Sequence, residues 1–338
     1  YLTGLEFHLM ERPILTLFSR TNPPIIVLPE LEKTKVIQLP YPLTVITYGE
    51  NPATWLEEFR KCRKGINSSP ISLIGVEETY LRFLELEFLN AVFPSSEIRS
   101  CQSLISELRI RKDEMEKGWI SQAIRIAEEA LTNTLSIIKP GITEKELASE
   151  LVIQLLHSGS DPQLPFFPII ASGQNSANPH ATPTERNIQI GDPVIIDWGA
   201  RYHGYISDLT RTFVIGKATQ EFEHIYKIVK NANMIGSQSV FPGIKAGEID
   251  RLVRNLIVQN GFGDYFRHRT GHGIGLETHE EPYIRSENEQ ILQPGMTFTI
   301  EPGIYLPQKF GVRIEDNVFV NDNGAEILST LSRDLIAL

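Results

Sequence analysis

Residues 193–213 read "PVIIDWGARYHGYISDLTRTF". Pro193 to Ile196 predict a buried apolar strand that ends on Asp197, and a second carboxylate, Asp208, follows eleven positions later inside the next strand-like run. An acid at the end of one apolar strand and another inside the next is costly unless something in the interior needs their charge.

The same arrangement occurs again further along. "GDPVIID" (Gly191 to Asp197) is echoed by "GMTFTIE" (Gly295 to Glu301), glycine followed six positions later by a carboxylate at the end of an apolar strand. "PGITEKEL" (Pro140 to Leu147) is likewise echoed by "PGIKAGEI" (Pro242 to Ile249), each at the junction of two helices. The offsets, 104 and 102 residues, nearly agree. Two copies are too few for a solenoid. They predict two related halves facing each other, with a site at their junction.

In that frame Asp197 and Glu301 face each other across a pseudo-twofold axis. Each half adds one more acid on the next strand: Asp208, and Glu315 in "GVRIEDNVF" among Val312, Ile314 and Val318. Taken singly, each is an ordinary edge-strand carboxylate or a salt-bridge partner, with Arg211 and Arg313 near enough in sequence to serve. Four carboxylates at matching repeat positions in an apolar interior would repel and lose hydration, and such a cluster is stable when cations occupy it.

Histidines sharpen this expectation. Of eight, His180 lies in "SANPHATPT", and His268, His272 and His279 lie in "HRTGHGIGLETHEEP". Spacings of four and seven could place the last three on one side of a helix, whereas Gly271, Gly273 and Gly275 argue for backbone packed closely against a site. A carboxylate-rich set with one imidazole suits Mn²⁺, Co²⁺, Fe²⁺ or Zn²⁺. Two such ions can hold a bridging hydroxide as nucleophile, with the remaining histidines stabilising an oxyanion or shuttling protons.

The first hundred residues alternate short strands ("PIIVLPE", "SPISLIGVEE") with amphipathic helices ("TWLEEFRKC", "YLRFLELEFLNAV"), an α/β unit. "FPSSEIRSC" (Phe93 to Cys101) has the composition of a linker. Beyond it, Ile120, Ile124, Ala127, Leu131, Leu135 and Ile138 make one helical stripe stopped by "KPG", and Thr143 with Glu146 forms a capping box before Leu147, Leu151 and Leu155.

With 338 residues, 41% hydrophobic and 22% charged, the chain has the composition of a soluble globular protein of one large or two ordinary domains. A net charge of −10 disfavours nucleic acid and anionic membrane as partners. Cys62 and Cys101 make no disulfide framework and no Cys-x-x-Cys motif. No apolar run approaches the roughly 20 residues of a membrane span and no signal peptide opens the chain, so a cytoplasmic location is expected, with N-terminal residues missing before Tyr1.

The set Asp197, Asp208, His272, Glu301 and Glu315, with "NPHA", "SDLTRTF", "GHGIG", "EPGIY" and "GVRIED" around it, resembles the pita-bread metallopeptidases (M24). Within them it looks like the Xaa-Pro branch, prolidase (Xaa-Pro dipeptidase) and aminopeptidase P. The resemblance implies an α+β chain: a pseudo-twofold catalytic domain over residues 101–338, preceded over residues 1–100 by a smaller creatinase-type α/β domain lacking its first strand.

Carried over position by position, it implies that Asp197 chelates one metal through both oxygens and that Asp208 and Glu315 bridge two divalent ions, Mn²⁺ foremost. His272 and Glu301 would complete the other ion's shell, Glu301 also taking a proton from the bridging water. His180 and His279 would bind substrate and steady the tetrahedral intermediate, His268 would line the proline-side pocket, and Arg313 would hydrogen-bond the ligand carboxylates. The implied activity is hydrolysis of the bond between an N-terminal residue and proline, in dipeptides or longer peptides, by a homodimer.

A methionine aminopeptidase shares the fold and ligands but usually lacks the N-terminal domain, and a histidine at position 268 is unexpected there. A creatinase shares both domains but not the five-ligand set. A non-catalytic pita-bread binding module would be expected to have lost ligands.

Overall fold

The computed structural model describes every residue except Gln38 and Asn67–Pro70, so the Ser69 and Pro70 start of the expected "SPISLIGVEE" strand lies outside the described residues. The chain divides into two compact units, Tyr1–Glu107 and Leu108–Leu338. Among the described residues no helix is long and apolar enough to cross a membrane.

In the first unit the strand Ile25–Pro29 pairs antiparallel with Leu15–Leu17 and parallel with Thr44–Tyr48. Its side chains alternate between two apolar surroundings: Ile25 and Val27 pack with Trp55, Phe59 and Leu89, while Ile26 and Leu28 pack with Val36. A strand buried on both faces is the signature of a parallel pair covered by helices, here Pro52–Lys61 with Phe83–Val92 over one face and Lys33–Val36 over the other. Asn51 starts the former by accepting from the Ala53 amide, with Pro52 in the first turn.

The expected linker, Phe93–Cys101, is instead built into this unit. Glu97–Ser100 pairs in parallel with Leu73–Val76, and Phe93 is buried. The Pro and Ser residues that suggested a spacer form the tight turn between helix and strand, closed by the Ser96 amide on the Phe93 carbonyl at 3.1 Å.

The second unit opens with the long helix Glu114–Leu135, whose apolar stripe packs on the helix Glu144–His157 and on Trp198. The helix stops at Leu135, three residues short of the stripe's last member; Ile138 joins the same cluster from the turn that follows. The capping box forms as expected: the Glu146 amide donates to Thr143 Oγ1 at 3.1 Å, and the Thr143 amide donates to Glu146 Oε2 at 2.8 Å.

The repeat is real in three dimensions. Gly141 donates to the Ile188 carbonyl and Ile188 to that of Ile142, each at 2.8 Å; 102 to 104 residues on, Gly243 donates to Leu292 at 2.9 Å and Leu292 to Ile244 at 2.8 Å. The four turn glycines share one positive-φ conformation, Gly141 and Gly243 at 96° and 99°, Gly191 and Gly295 at 89° and 93°. In the first half, strand Pro193–Trp198 runs antiparallel between Ile169–Ser172 and Leu209–Val214. In the second, Thr297–Ile300 runs antiparallel between Gly271–Gly273 and Asp316–Asn321. The halves meet where the Glu315 amide donates to the Thr210 carbonyl at 3.1 Å.

Candidate metal centre and active site

The two central strands deliver their acids to this junction. Asp197 is the penultimate residue of its strand, one position deeper than expected, and Glu301 follows immediately after Ile300. Asp208 sits just before the strand Leu209–Val214 rather than inside it, because the hairpin between it and Asp197 delays the pairing. Glu315 occupies the step between the strands Phe310–Arg313 and Asp316–Asn321.

His272 is on the short strand Gly271–Gly273, so the helical alternative for the histidines is not taken. The glycines explain this. A Cβ on Gly271 would collide with the Thr299 carbonyl and one on Gly273 with that of Glu281, so only glycine lets this strand lie so tightly between its neighbours.

Oxygen and nitrogen atoms of Asp208, His272 and Glu315 all lie within 4.8 Å of one another, and the three residues are 5%, 3% and 2% exposed. His272 Nδ1 donates to the Gly273 carbonyl at 3.2 Å, which leaves Nε2 as a lone pair. That lone pair faces Glu301 Oε1 at 3.4 Å and Asp208 Oδ2 at 3.7 Å. Asp197 Oδ2 accepts from Arg313 Nη2 at 2.6 Å, but its Oδ1 is buried with no hydrogen-bond donor among the described residues. Lone pairs aimed at one another, plus an orphaned buried oxygen, are what a cation would satisfy.

The electrostatics agree. Burial pushes Asp208 well above the usual carboxylate range, and the charges of Glu315, Asp197 and Glu301 push it further. Burial, then Glu301 and Asp197, raise Glu315 in the same way. Glu301 is pushed up to about 8 by burial, Arg313 opposing. Asp197 is raised by burial although Arg313 pulls against it. His272 goes far below its usual value through burial and the neighbouring His279 and Arg269. Without a cation the site therefore favours the protonated form of its acids and the neutral form of its imidazole.

Arg313 is the organising cation. Besides Asp197 it donates Nε to Thr210 Oγ1 at 3.1 Å and Nη1 to the Tyr305 hydroxyl at 2.7 Å. Burial works against its charge, but Tyr305, Asp197 and Glu315 outweigh that and hold it charged. The other candidate partner, Arg211, faces away and pairs with Asp316 at 2.7 Å.

His268 stands beside this core, with Nδ1 3.9 Å from Glu301 Oε2 and Nε2 3.0 Å from the Tyr305 hydroxyl. Its Nδ1 donates to the Arg269 carbonyl at 2.8 Å, so Tyr305 donates to Nε2. The His279 ring meets that of His272 edge-on, centroids 4.2 Å apart, with its other side exposed. Burial on the inner side and the Arg269 charge lower it to about 4. His180 is exposed, its amide tied to Asn178 Oδ1 at 3.1 Å.

Sequence reasoning missed four residues here. Thr210 donates to Glu315 Oε2 at 2.7 Å; Tyr305 joins Arg313 to His268. Asn317 Oδ1 accepts from the Asp208 amide at 3.2 Å while its Nδ2 donates to the Asp208 carbonyl. Asn233, on the helix Gln220–Gln238, donates to the carbonyls of Ile300 (2.8 Å) and Ile314 (3.3 Å), the residues before Glu301 and Glu315. A signal existed for Thr210: Asp208, Thr210 and Thr212 alternate along one strand face.

Residues 118–322 match the sequence model of metallopeptidase family M24, and residues 1–111 match that of the creatinase/prolidase N-terminal domain. The chain belongs to family M24: a pita-bread metallopeptidase unit preceded in the sequence by a creatinase-type N-terminal unit, in a family that uses divalent metal ions. More particularly, it is 39% identical over 281 residues to the Xaa-Pro dipeptidase of Pyrococcus horikoshii, covering 83% of this chain and 78% of the relative. The prolidase structure from Thermococcus sibiricus superposes with a TM-score of 0.93 at 36% identity, covering 100% of this chain and 91% of that one. The X-Pro aminopeptidase structure from Thermotoga maritima gives 0.84 at 31%, covering 96% and 90%.

Proposed function

We propose that the protein is an Xaa-Pro metallo-exopeptidase, cleaving between an N-terminal residue and proline, and that the dipeptide is its preferred substrate. The observation that supports this best is the set of Asp197, Asp208, His272, Glu301 and Glu315, buried or nearly so, in which the imidazole lone pair faces Glu301 and Asp208 and a buried oxygen of Asp197 has no donor among the described residues. Relatives named for dipeptides, prolidase among them, favour the shorter substrate.

Asp197, Asp208, His272, Glu301 and Glu315 would hold two divalent ions. The oxygen-rich set with one nitrogen fits Mn²⁺ first and accepts Co²⁺, Zn²⁺ or Fe²⁺. Such ions, when bound, polarise a peptide carbonyl and provide a hydroxide-strength nucleophile at neutral pH.

The rest falls to the chain. Glu301, beside His272 Nε2 at 3.4 Å, would move a proton at its carboxylate. Arg313 fixes the Asp197 and Glu315 geometry, directly and through Thr210. His279, a neutral imidazole, offers an N–H to negative charge developing on the carbonyl oxygen, with exposed His180 on the substrate side. His268, kept neutral near 3 by burial and Arg313, is oriented by Tyr305 to line the proline side. An Xaa-Pro bond has no N–H, so a pocket dedicated to the ring takes the place of that hydrogen bond.

Mn²⁺-loaded protein offered Ala-Pro and Ala-Pro-Ala side by side, each with a chelator control, is expected to cleave the dipeptide. Release of alanine from the tripeptide alone would make it an aminopeptidase P. Silence on both with metal bound would leave the binding-module reading. His279→Ala is expected to lower kcat about 10²-fold, the usual cost of an oxyanion donor, while Mn²⁺ stoichiometry stays at the wild-type value. Loss of metal would instead make His279 a ligand.

A further inference from the structure

Between His268 and His272 lies Thr270, which carries no chemistry of its own. It is gripped from behind by Asp250, a fully buried acid on the helix Ala246–Gln259. Asp250 Oδ1 accepts from the Thr270 amide at 3.0 Å, from Thr270 Oγ1 at 2.7 Å and from Arg254 Nη2 at 3.1 Å. Its Oδ2 accepts from Arg254 Nε at 3.0 Å and from the Ser286 hydroxyl.

Arg254 continues the grip. It donates Nη1 to the Phe266 carbonyl and Nη2 to the His268 carbonyl, each at 2.9 Å, and its guanidinium lies 4.4 Å over the Phe266 ring. The Phe266 ring in turn meets His268 edge-on, centroids 5.1 Å apart. On the other side, the Thr270 carbonyl accepts from the Glu301 amide at 2.7 Å. One acid thereby pins residues 266, 268 and 270, and through Thr270 the backbone of Glu301.

The other half contains a counterpart. Glu144, fully buried on its own second helix, accepts from the Ser172 amide and from Ser172 Oγ, both at 2.7 Å, and from Thr184 Oγ1 at 2.6 Å. Ser172 ends the strand whose Ile169 is paired with Asp197. In both halves a helix acid takes the N–H and O–H of a Ser or Thr at one end of the strand flanking the one that delivers a site acid. Buried ion pairs contribute weakly to stability compared with apolar packing. What five converging donors do supply is direction.

We infer that Asp250 is a positioning residue for the site: through Thr270 and Arg254 it sets the backbone that carries His268, His272 and Glu301. The inference rests on the reading of His272 and Glu301 as metal ligands. Removing such an outer partner costs about 10–100-fold in metal affinity or activity.

Three substitutions decide it without requiring Asp250→Asn to fold. Thr270→Val removes only the hydroxyl donor on the site side; Thr270→Ser keeps it; Ser286→Ala removes the donor to the other oxygen, away from residues 266–272. Titration calorimetry is expected to show Mn²⁺ affinity about tenfold weaker in Thr270→Val and at the wild-type value in Thr270→Ser and Ser286→Ala, although Ser286→Ala lowers Tm. In metal-free protein the Glu301 amide is expected to exchange hydrogen faster in Thr270→Val than in Ser286→Ala. Equal loss of Tm in Thr270→Val and Ser286→Ala, with wild-type affinity and exchange in both, would overturn the inference. If the wild type itself bound no Mn²⁺, the metal reading would fail, and exchange at Glu301 would still decide the role of Asp250.

Discussion

Asp208→Asn is expected to abolish Ala-Pro hydrolysis by the Mn²⁺-loaded protein and to lower the bound metal per chain. The carboxamide has nearly the shape of the carboxylate but brings an N–H₂ toward His272 Nε2 and removes one charge from the set. Asp208 would hold metal directly, beside His272 and Glu315, so its loss exceeds the about 10–100-fold of an outer partner. A fall of about a thousandfold or more in kcat/KM, near 4 kcal/mol of transition-state stabilisation, is the expected scale.

The fold is expected to survive, because Asn317 holds the Asp208 backbone at both its amide and its carbonyl independently of the side chain. Indeed the metal-free variant is expected to melt higher than metal-free wild type. Asp208 is the acid whose charge burial, Glu315, Asp197 and Glu301 oppose, so folding without metal makes it take up a proton, and a neutral amide removes that cost. Wild-type metal content with lost activity would assign Asp208 to catalysis alone and sink its role as a metal ligand.

How much of this was legible in the sequence follows from what each signal depends on. The repeat was legible because its markers are local: glycines with positive φ at Gly191 and Gly295, and apolar strands ending in acids. The capping box at Thr143 was legible for the same reason. The acids themselves stood out because Asp197, Asp208, Glu301 and Glu315 contradict the apolar strands that carry them.

Elsewhere composition misled. Phe93–Cys101 looked like a linker because a tight turn and a spacer use the same residues; that Glu97–Ser100 pairs with Leu73–Val76 is a long-range fact. The residues that hold the site were silent for a related reason. Asn233 reaches the carbonyls of Ile300 and Ile314, 67 and 81 positions away, and Asp250 reaches Thr270 and Ser286, 20 and 36 away. A polar residue in a helix carries no local mark of which strand it will grip.

The stability of the metal-free protein is expected to fall as pH rises from about 6.5 to about 8, and Mn²⁺ is expected to remove the fall. The acids set the sign. Glu301 titrates at about 8 in the folded chain, and Asp197, Asp208 and Glu315 are raised as well, against ordinary values near 4 in the unfolded chain. In that window the folded protein keeps protons that the unfolded chain has lost, so rising pH favours unfolding by about 1.4 kcal/mol per pH unit for each proton retained.

The histidines act in the opposite sense but in a lower window. His268 and His279 are depressed to about 3 and 4, and His272 well below its ordinary value, so their contribution is gained as pH rises toward the ordinary value of 6.5 and is complete above it. Only above about 6.5 do the acids act alone, which makes that window the informative one. Mn²⁺ at about a thousand times its Kd would add about 4 kcal/mol, and because binding displaces the retained protons, its affinity strengthens with pH. Calorimetric Tm at pH 6.5, 7.2 and 8, with chelator and with Mn²⁺, measures both. A chelated protein whose Tm held steady or rose across that window would mean that the four acids are already ionised without metal, and that Arg313 alone suffices to keep them so.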